Sequence, residues 1–225
     1  MLTTTLLCSA LVRDCSQKSH MPTGDPNKTT ASVHAFADLH LSGRHWGSRE
    51  AWFVDSIADE ATVLDLGAGA MHLNVSLARK RHGIQYLPVD AHDRGTAAMR
   101  VCMFNKWEYP VSLVPKPTVI VMQGILEYII DKAHFLGAFR CAYPSAAILM
   151  SYAVGHQTNE MWTAPLTQLQ LLEMFHVLGL KVTNHTKSCY PGQDCFKLIV
   201  EQGPENTVMH TTLCHGLHVH VATQM

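Results

Sequence analysis

The sequence predicts an α/β domain in which helices wind both faces of a mostly parallel sheet and an antiparallel hairpin closes it. Three observations lead there. Short β-branched apolar runs alternate with helical periodicity, a glycine-rich turn follows the first run, and a Pro-Gly pair joins the last two.

The first run, Ala61-Thr62-Val63-Leu64-Asp65-Leu66, stops at Gly67-Ala68-Gly69, as a buried parallel strand does on meeting a turn. Met71 to His82 then reads as helix, with Leu73, Leu77 and Ala78 on one face. Its basic end, Lys80-Arg81-His82, suits the helix dipole and is expected in solvent. Strands follow over Ile84 to Val89, closing on Asp90, then around Met99 to Phe104, then over Thr118 to Met122. Asp131 to Cys141 is the next helix and Ala146 to Tyr152 the fifth strand. Leu166 to Leu178 is an amphipathic helix with Gly179 at its C-terminal cap. Leu180 to Ser188 and Cys195 to Glu201 form the hairpin through Pro191-Gly192. Upstream, Trp46, Trp52, Phe53 and Ile57 are spaced for an N-terminal helical cap, with Ser48 as its N-cap and its aromatics packed on the core.

One domain is thus expected over 32–203, after a disordered polar leader (1–31) and before a flexible His-containing tail (204–225). At 225 residues the chain can bury a sizeable core, with 47% apolar and 16% charged residues. The net charge of -1, without a dense Lys/Arg block, does not indicate a nucleic-acid partner. No run reaches the roughly 20 apolar residues that span a bilayer, so no membrane partner is expected. The seven cysteines form no C-x-x-C pair and are odd in number. That predicts reduced thiols and a cytoplasmic location, with organellar targeting by the leader left open. Cys189 and Cys195 are the pair that could meet across a hairpin. His210, His215, His218 and His220 lack an acidic partner, so no metal is expected.

In open α/β sheets, ligands sit at the carboxyl ends of the strands beside the point where strand order reverses. Gly67 and Gly69 stand at such a strand end, with Asp65 before them and Asp90 closing the next strand. A carboxylate there accepts hydrogen bonds from ribose hydroxyls. A dinucleotide turn wants G-x-G-x-x-G, but His72 holds the third glycine's place and Asp65 would face the pyrophosphate. The spacing therefore disfavours an NAD(P)-dependent oxidoreductase and favours a cationic nucleoside without phosphate.

Over about Trp46 to Gly203 the chain resembles the class I S-adenosylmethionine-dependent methyltransferases, carried by Asp65-Leu66-Gly67-Ala68-Gly69-Ala70-Met71 and by Val119 to Tyr128. The resemblance implies a seven-stranded Rossmann-like sheet and S-adenosylmethionine as cofactor. It implies that Asp65, Gly67 and Gly69 line the methionine part, that Asp90 binds the ribose, and that Gln123 and Gly124 lie beside the sulfonium. Two positions depart from the pattern. Met71 replaces the third glycine, and Met103 stands where relatives often carry an acid for the adenine amino group, which it could only replace by packing on the ring. These departures leave open an inactive relative serving as a binding module. Methyl transfer needs in-line positioning and, for an oxygen acceptor, a base. Candidate bases in strand-end loops are His72, His92, Tyr152 and His156. The expected partner is a small-molecule acceptor; the sequence carries no signature of oligomeric state.

Overall fold

The structure, a computed structural model, describes residues 12–16, 47–91, 99–154, 163, 165–190, 192–201, 214 and 219–220. In chain order the elements are β1 (Val12–Asp14), α1 (Gly47–Ser56), β2 (Thr62–Leu66), α2 (His72–Lys80), β3 (Gln85–Asp90), β4 (Arg100–Val101), β5 (Glu108–Tyr109), β6 (Val119–Gln123), α3 (Lys132–Ala142), β7 (Ala147–Tyr152), α4 (Gln168–Val177), β8 (Leu180–Tyr190), β9 (Gln193–Val200) and β10 (Val219–His220). Seven strands form one sheet in the order β4-β3-β2-β6-β7-β9-β8, all neighbours parallel except those of β9. This is the expected doubly wound sheet with its antiparallel hairpin.

Period-two alternation divides the strands between two apolar layers. Leu64, Leu66, Ile120, Met122, Ile148 and Met150 face α3 and α4, meeting Phe135, Phe139, Leu171 and Phe175. Val63, Val119, Val121 and Leu149 face the other way, against Phe53, Val54 and Ile57 of the α1 segment and Leu73 and Leu77 of α2. The cap helix therefore packs on the core, as its aromatic spacing predicts. Trp52 also donates from Nε1 to Thr186 Oγ1 at 3.0 Å, tying α1 to the closing hairpin.

Local chemistry sets the helix ends. Asp131 caps α3 by accepting from the His134 amide at 2.9 Å. Thr167 and Gln170 form a reciprocal capping box at the start of α4. Gly179, at φ 61°, follows the end of α4 as expected. Ser48 lies inside α1 rather than capping it, because the helix begins at Gly47. Arg81 is not a free solvated end: its Nε donates to the Val54 carbonyl at 3.0 Å, satisfying the C-terminus of α1. The third predicted strand shrinks to the two residues of β4.

Three expectations are corrected. Residues 12–14 of the leader form β1, which pairs in parallel with β5 and with β10 from the tail. The tail is fixed a second time, because Cys214 is bonded to Cys141 of α3. Six of the seven cysteines are not reduced: Cys15–Cys102, Cys141–Cys214 and Cys189–Cys195 are disulfides. Counting cysteines along the chain foresaw none of these, and for two of them the partners lie 87 and 73 residues apart.

Candidate functional site

Strand order reverses between β2 and β6, and in open α/β sheets ligands bind in the crevice outside the carboxyl ends of the strands at such a point. The chain leaves β2 through Gly67, whose amide and that of Ala68 both donate to the Val89 carbonyl, at 2.8 and 3.0 Å. This folds the turn back over the end of β3. Gly69 then donates from its amide to Asp90 Oδ2 at 2.8 Å. The two strand-end acids thus stand on either side of the glycine turn, and both are buried.

Each acid is held by a partner. Tyr86 of β3 donates its hydroxyl to Asp65 Oδ2 in a short hydrogen bond. Burial, reinforced by the Asp65 carboxylate, raises the Tyr86 pKa far above that of an ordinary phenol, so the hydroxyl remains a donor. Tyr86 escaped sequence reasoning: it lies diagonal to Asp65 only because Val63 pairs with Tyr86 and Asp65 with Pro88.

Gln123 ends β6, and Gly124, at φ 61°, turns the chain away from it. Ile125 then packs back onto Gly67. Met103 follows β4 and is partly exposed at 37%; Cys102 before it donates from its amide to the Asp90 carbonyl at 3.0 Å. Met103 is thus the next residue along from the one bonded to the Asp90 backbone. Asp65, Gly67, Gly69, Asp90, Met103, Gln123 and Gly124 all gather along the carboxyl ends of β2, β3, β4 and β6.

The candidate bases fare differently. His72 is exposed at the first position of α2, just past the turn. Tyr152 is buried, its oxygen accepts from the Leu166 amide at 2.8 Å, and burial raises its pKa. Such a hydroxyl anchors the chain entering α4 and stays protonated at neutral pH, so it is no base. His92 and His156 lie outside the described residues, as do His210, His215 and His218. Among the described residues no cluster of metal-binding side chains occurs.

Two groups at the same end of the sheet escaped the sequence reading. Glu127, buried just after β6, accepts from the Ala153 amide at 2.8 Å and from Gln193 Nε2 at 3.3 Å, locking the ends of β6, β7 and the hairpin together. His185 Nε2 and Asp194 Oδ2 are 2.8 Å apart, and the His185 ring stacks on Phe196. Both sets of partners lie apart in the sequence, which a linear motif does not display.

The acceptor groups at these strand ends suit a cation with hydroxyl groups. Two buried carboxylates can accept from an ammonium and from ribose hydroxyls, whereas a pyrophosphate against Asp65 and Asp90 would meet like charge.

Comparison with known proteins agrees at the level of the fold. No protein-family model and no curated protein matches the chain. Among solved structures, it is similar to a chain from the complex of the Haloferax volcanii Trm112 methyltransferase activator with a candidate methyltransferase, with TM-score 0.59 and 13% identity, covering 77% of this chain and 100% of that one. It is also similar to a TehB-like S-adenosylmethionine-dependent methyltransferase from Corynebacterium glutamicum, with TM-score 0.52 and 14% identity over 76% and 96% of the two chains. A third is the mitomycin 7-O-methyltransferase, at 0.50 and 13% over 68% and 54%. The fold of this chain is the one shared by S-adenosylmethionine-dependent methyltransferases.

Proposed function

We propose that the chain is an S-adenosylmethionine-dependent methyltransferase acting on a small-molecule acceptor. One observation carries this reading: buried Asp90 closes β3 beside the switch point and holds the Gly69 amide at 2.8 Å, joining the candidate ribose acceptor to the glycine turn in one unit. The cofactor would supply an electrophilic methyl group on a sulfonium. Asp90 and Asp65 would hold its ribose and amino group, and Gln123 and Gly124 would border the sulfonium. The chain's remaining contribution is to align acceptor and methyl group and keep water out. His72 is the described candidate for taking a proton from a hydroxyl acceptor.

The test is calorimetric titration with S-adenosylhomocysteine and with NAD. We expect the sulfur nucleoside to bind and NAD not to. Asp90→Ala should weaken S-adenosylhomocysteine binding by about 10- to 100-fold, the worth of charged hydrogen bonds, while the circular dichroism spectrum is retained. Unchanged affinity would remove Asp90 from the ribose site, and absence of binding by the native chain would overturn the cofactor assignment.

A further inference from the structure

We propose that Asn184 is an N-glycan acceptor and that the chain matures in a thiol-oxidising, glycosylating compartment. The proposal is independent of the methyltransferase reading.

Two unrelated features point to the same surroundings. First, six of the seven cysteines are joined in disulfides, with Cα–Cα separations of 5.5 to 5.8 Å. Such pairing persists in oxidising compartments and is rare where glutathione keeps thiols reduced. Two of the bonds fasten segments outside the main sheet, Cys15 beside β1 and Cys214 ahead of β10, so oxidation belongs to the folded architecture. Second, Asn184-His185-Thr186 is an N-x-Thr acceptor sequence with no proline at its centre.

The acceptor stands where a glycan fits. Asn184 is exposed on β8, the last strand of the sheet, which among the described residues pairs there with β9 alone. The pairing of β8 with β9 slips between Val182 and Asn184, so the edge is irregular at this point. A bulky sugar on an edge strand also blocks strand addition by another chain. By contrast, Asn74-Val75-Ser76 obeys the same pattern inside α2, where Asn74 is half-buried and the Ser76 hydroxyl donates to Glu50. Asn184 is the more open acceptor.

The order of events follows from Thr186. Its hydroxyl accepts from Trp52 in the folded chain, so sugar transfer precedes the docking of α1 on the hairpin. In the transfer, Asn184 Nδ2 forms a bond to the anomeric carbon of a lipid diphosphate-linked oligosaccharide. The bond from that carbon to phosphate breaks, the lipid diphosphate leaves, and the amide gives up one proton. Each disulfide forms as two thiols surrender two protons and two electrons to the disulfide of an exchange protein, which leaves as a dithiol.

The experiment uses the full chain isolated from its native cells. Peptide N-glycosidase treatment in heavy-oxygen water, followed by peptide mass mapping, should convert Asn184 to labelled Asp. Alkylation without reductant should leave Cys15, Cys102, Cys141, Cys189, Cys195 and Cys214 unmodified. An Asn184 peptide recovered wholly unlabelled overturns the glycan, and alkylation of those six cysteines overturns the compartment. Neither result bears on S-adenosylhomocysteine binding, so the two readings fail separately.

Discussion

Gly67 turns at φ 73°, and a Cβ on it would lie 2.9 Å from Ile125 Cδ1. The first glycine of the turn is therefore demanded twice, by its left-handed backbone and by a neighbour folded back from the end of β6. Gly67→Ala should cost on the order of 2–3 kcal/mol of stability, as strained backbone and overpacking combine. Gly67→Ala with Ile125→Val should recover part of that loss, because one of the two causes is removed. Chemical denaturation of these two variants and of Ile125→Val alone measures this; no recovery in the double variant would mean that Ile125 is not the obstacle. At this scale the sequence was half legible. Asp65, the glycines and Asp90 are recognisable because they follow one another on the chain. Ile125 on Gly67 and Tyr86 on Asp65 are contacts between neighbouring strands or the turns that follow them, and they depend on strand order and register.

Among the elements, the long apolar strands were readable and the small ones were not. Val119–Gln123 and Ala147–Tyr152 are continuous apolar runs that can only be buried, and they lie within a residue or so of their expected bounds. The two- and three-residue strands β1, β5 and β10 have no such pattern, and β1 is joined by polar anchoring to the residues after β5. Asp14 supplies much of it: its carboxylate accepts from the Ser16 amide at 2.9 Å, the Ser16 hydroxyl at 2.6 Å, the Val111 amide at 3.2 Å and the Ser112 hydroxyl. Burial pushes this carboxyl up, but the hydrogen bonds from Ser112, Ser16 and Val111 outweigh it and hold the pKa below the usual value. A carboxyl depressed in the folded state stabilises above its unfolded pKa of about 3.9 and loses that contribution as pH falls through the folded value. Asp14→Asn should therefore cost about 1 kcal/mol at neutral pH, allowing for partial exposure, and progressively less below about pH 4. Denaturation midpoints against pH check this. A cost that stays constant into acid would show that the asparagine loses something other than charge.

For the whole molecule, disulfides close loops that the sheet alone leaves open. Cys15–Cys102 and Cys141–Cys214 span 87 and 73 residues, whereas Cys189–Cys195 spans 6. If a crosslink stabilises by restricting the unfolded chain, each long closure is worth about 4–5 kcal/mol and the hairpin closure about 2 kcal/mol. The sheet itself is continuous from β4 to β8 without any of them, so its core should survive their loss in part. Three double serine variants, one per disulfide, should thus rank by loop length in denaturant, with the hairpin pair the least affected. The long closures should also differ from each other in where they act. Loss of Cys15–Cys102 frees β1 beside the segment that leads from β4 to Met103, so it should raise hydrogen exchange at the amide of position 102, which is bonded to the Asp90 carbonyl, and at Met103 after it. Loss of Cys141–Cys214 frees β10 and leaves those amides protected. If both long variants expose those amides equally, the disulfides stabilise the molecule only globally, and the local coupling between β1 and the candidate cofactor site is refuted.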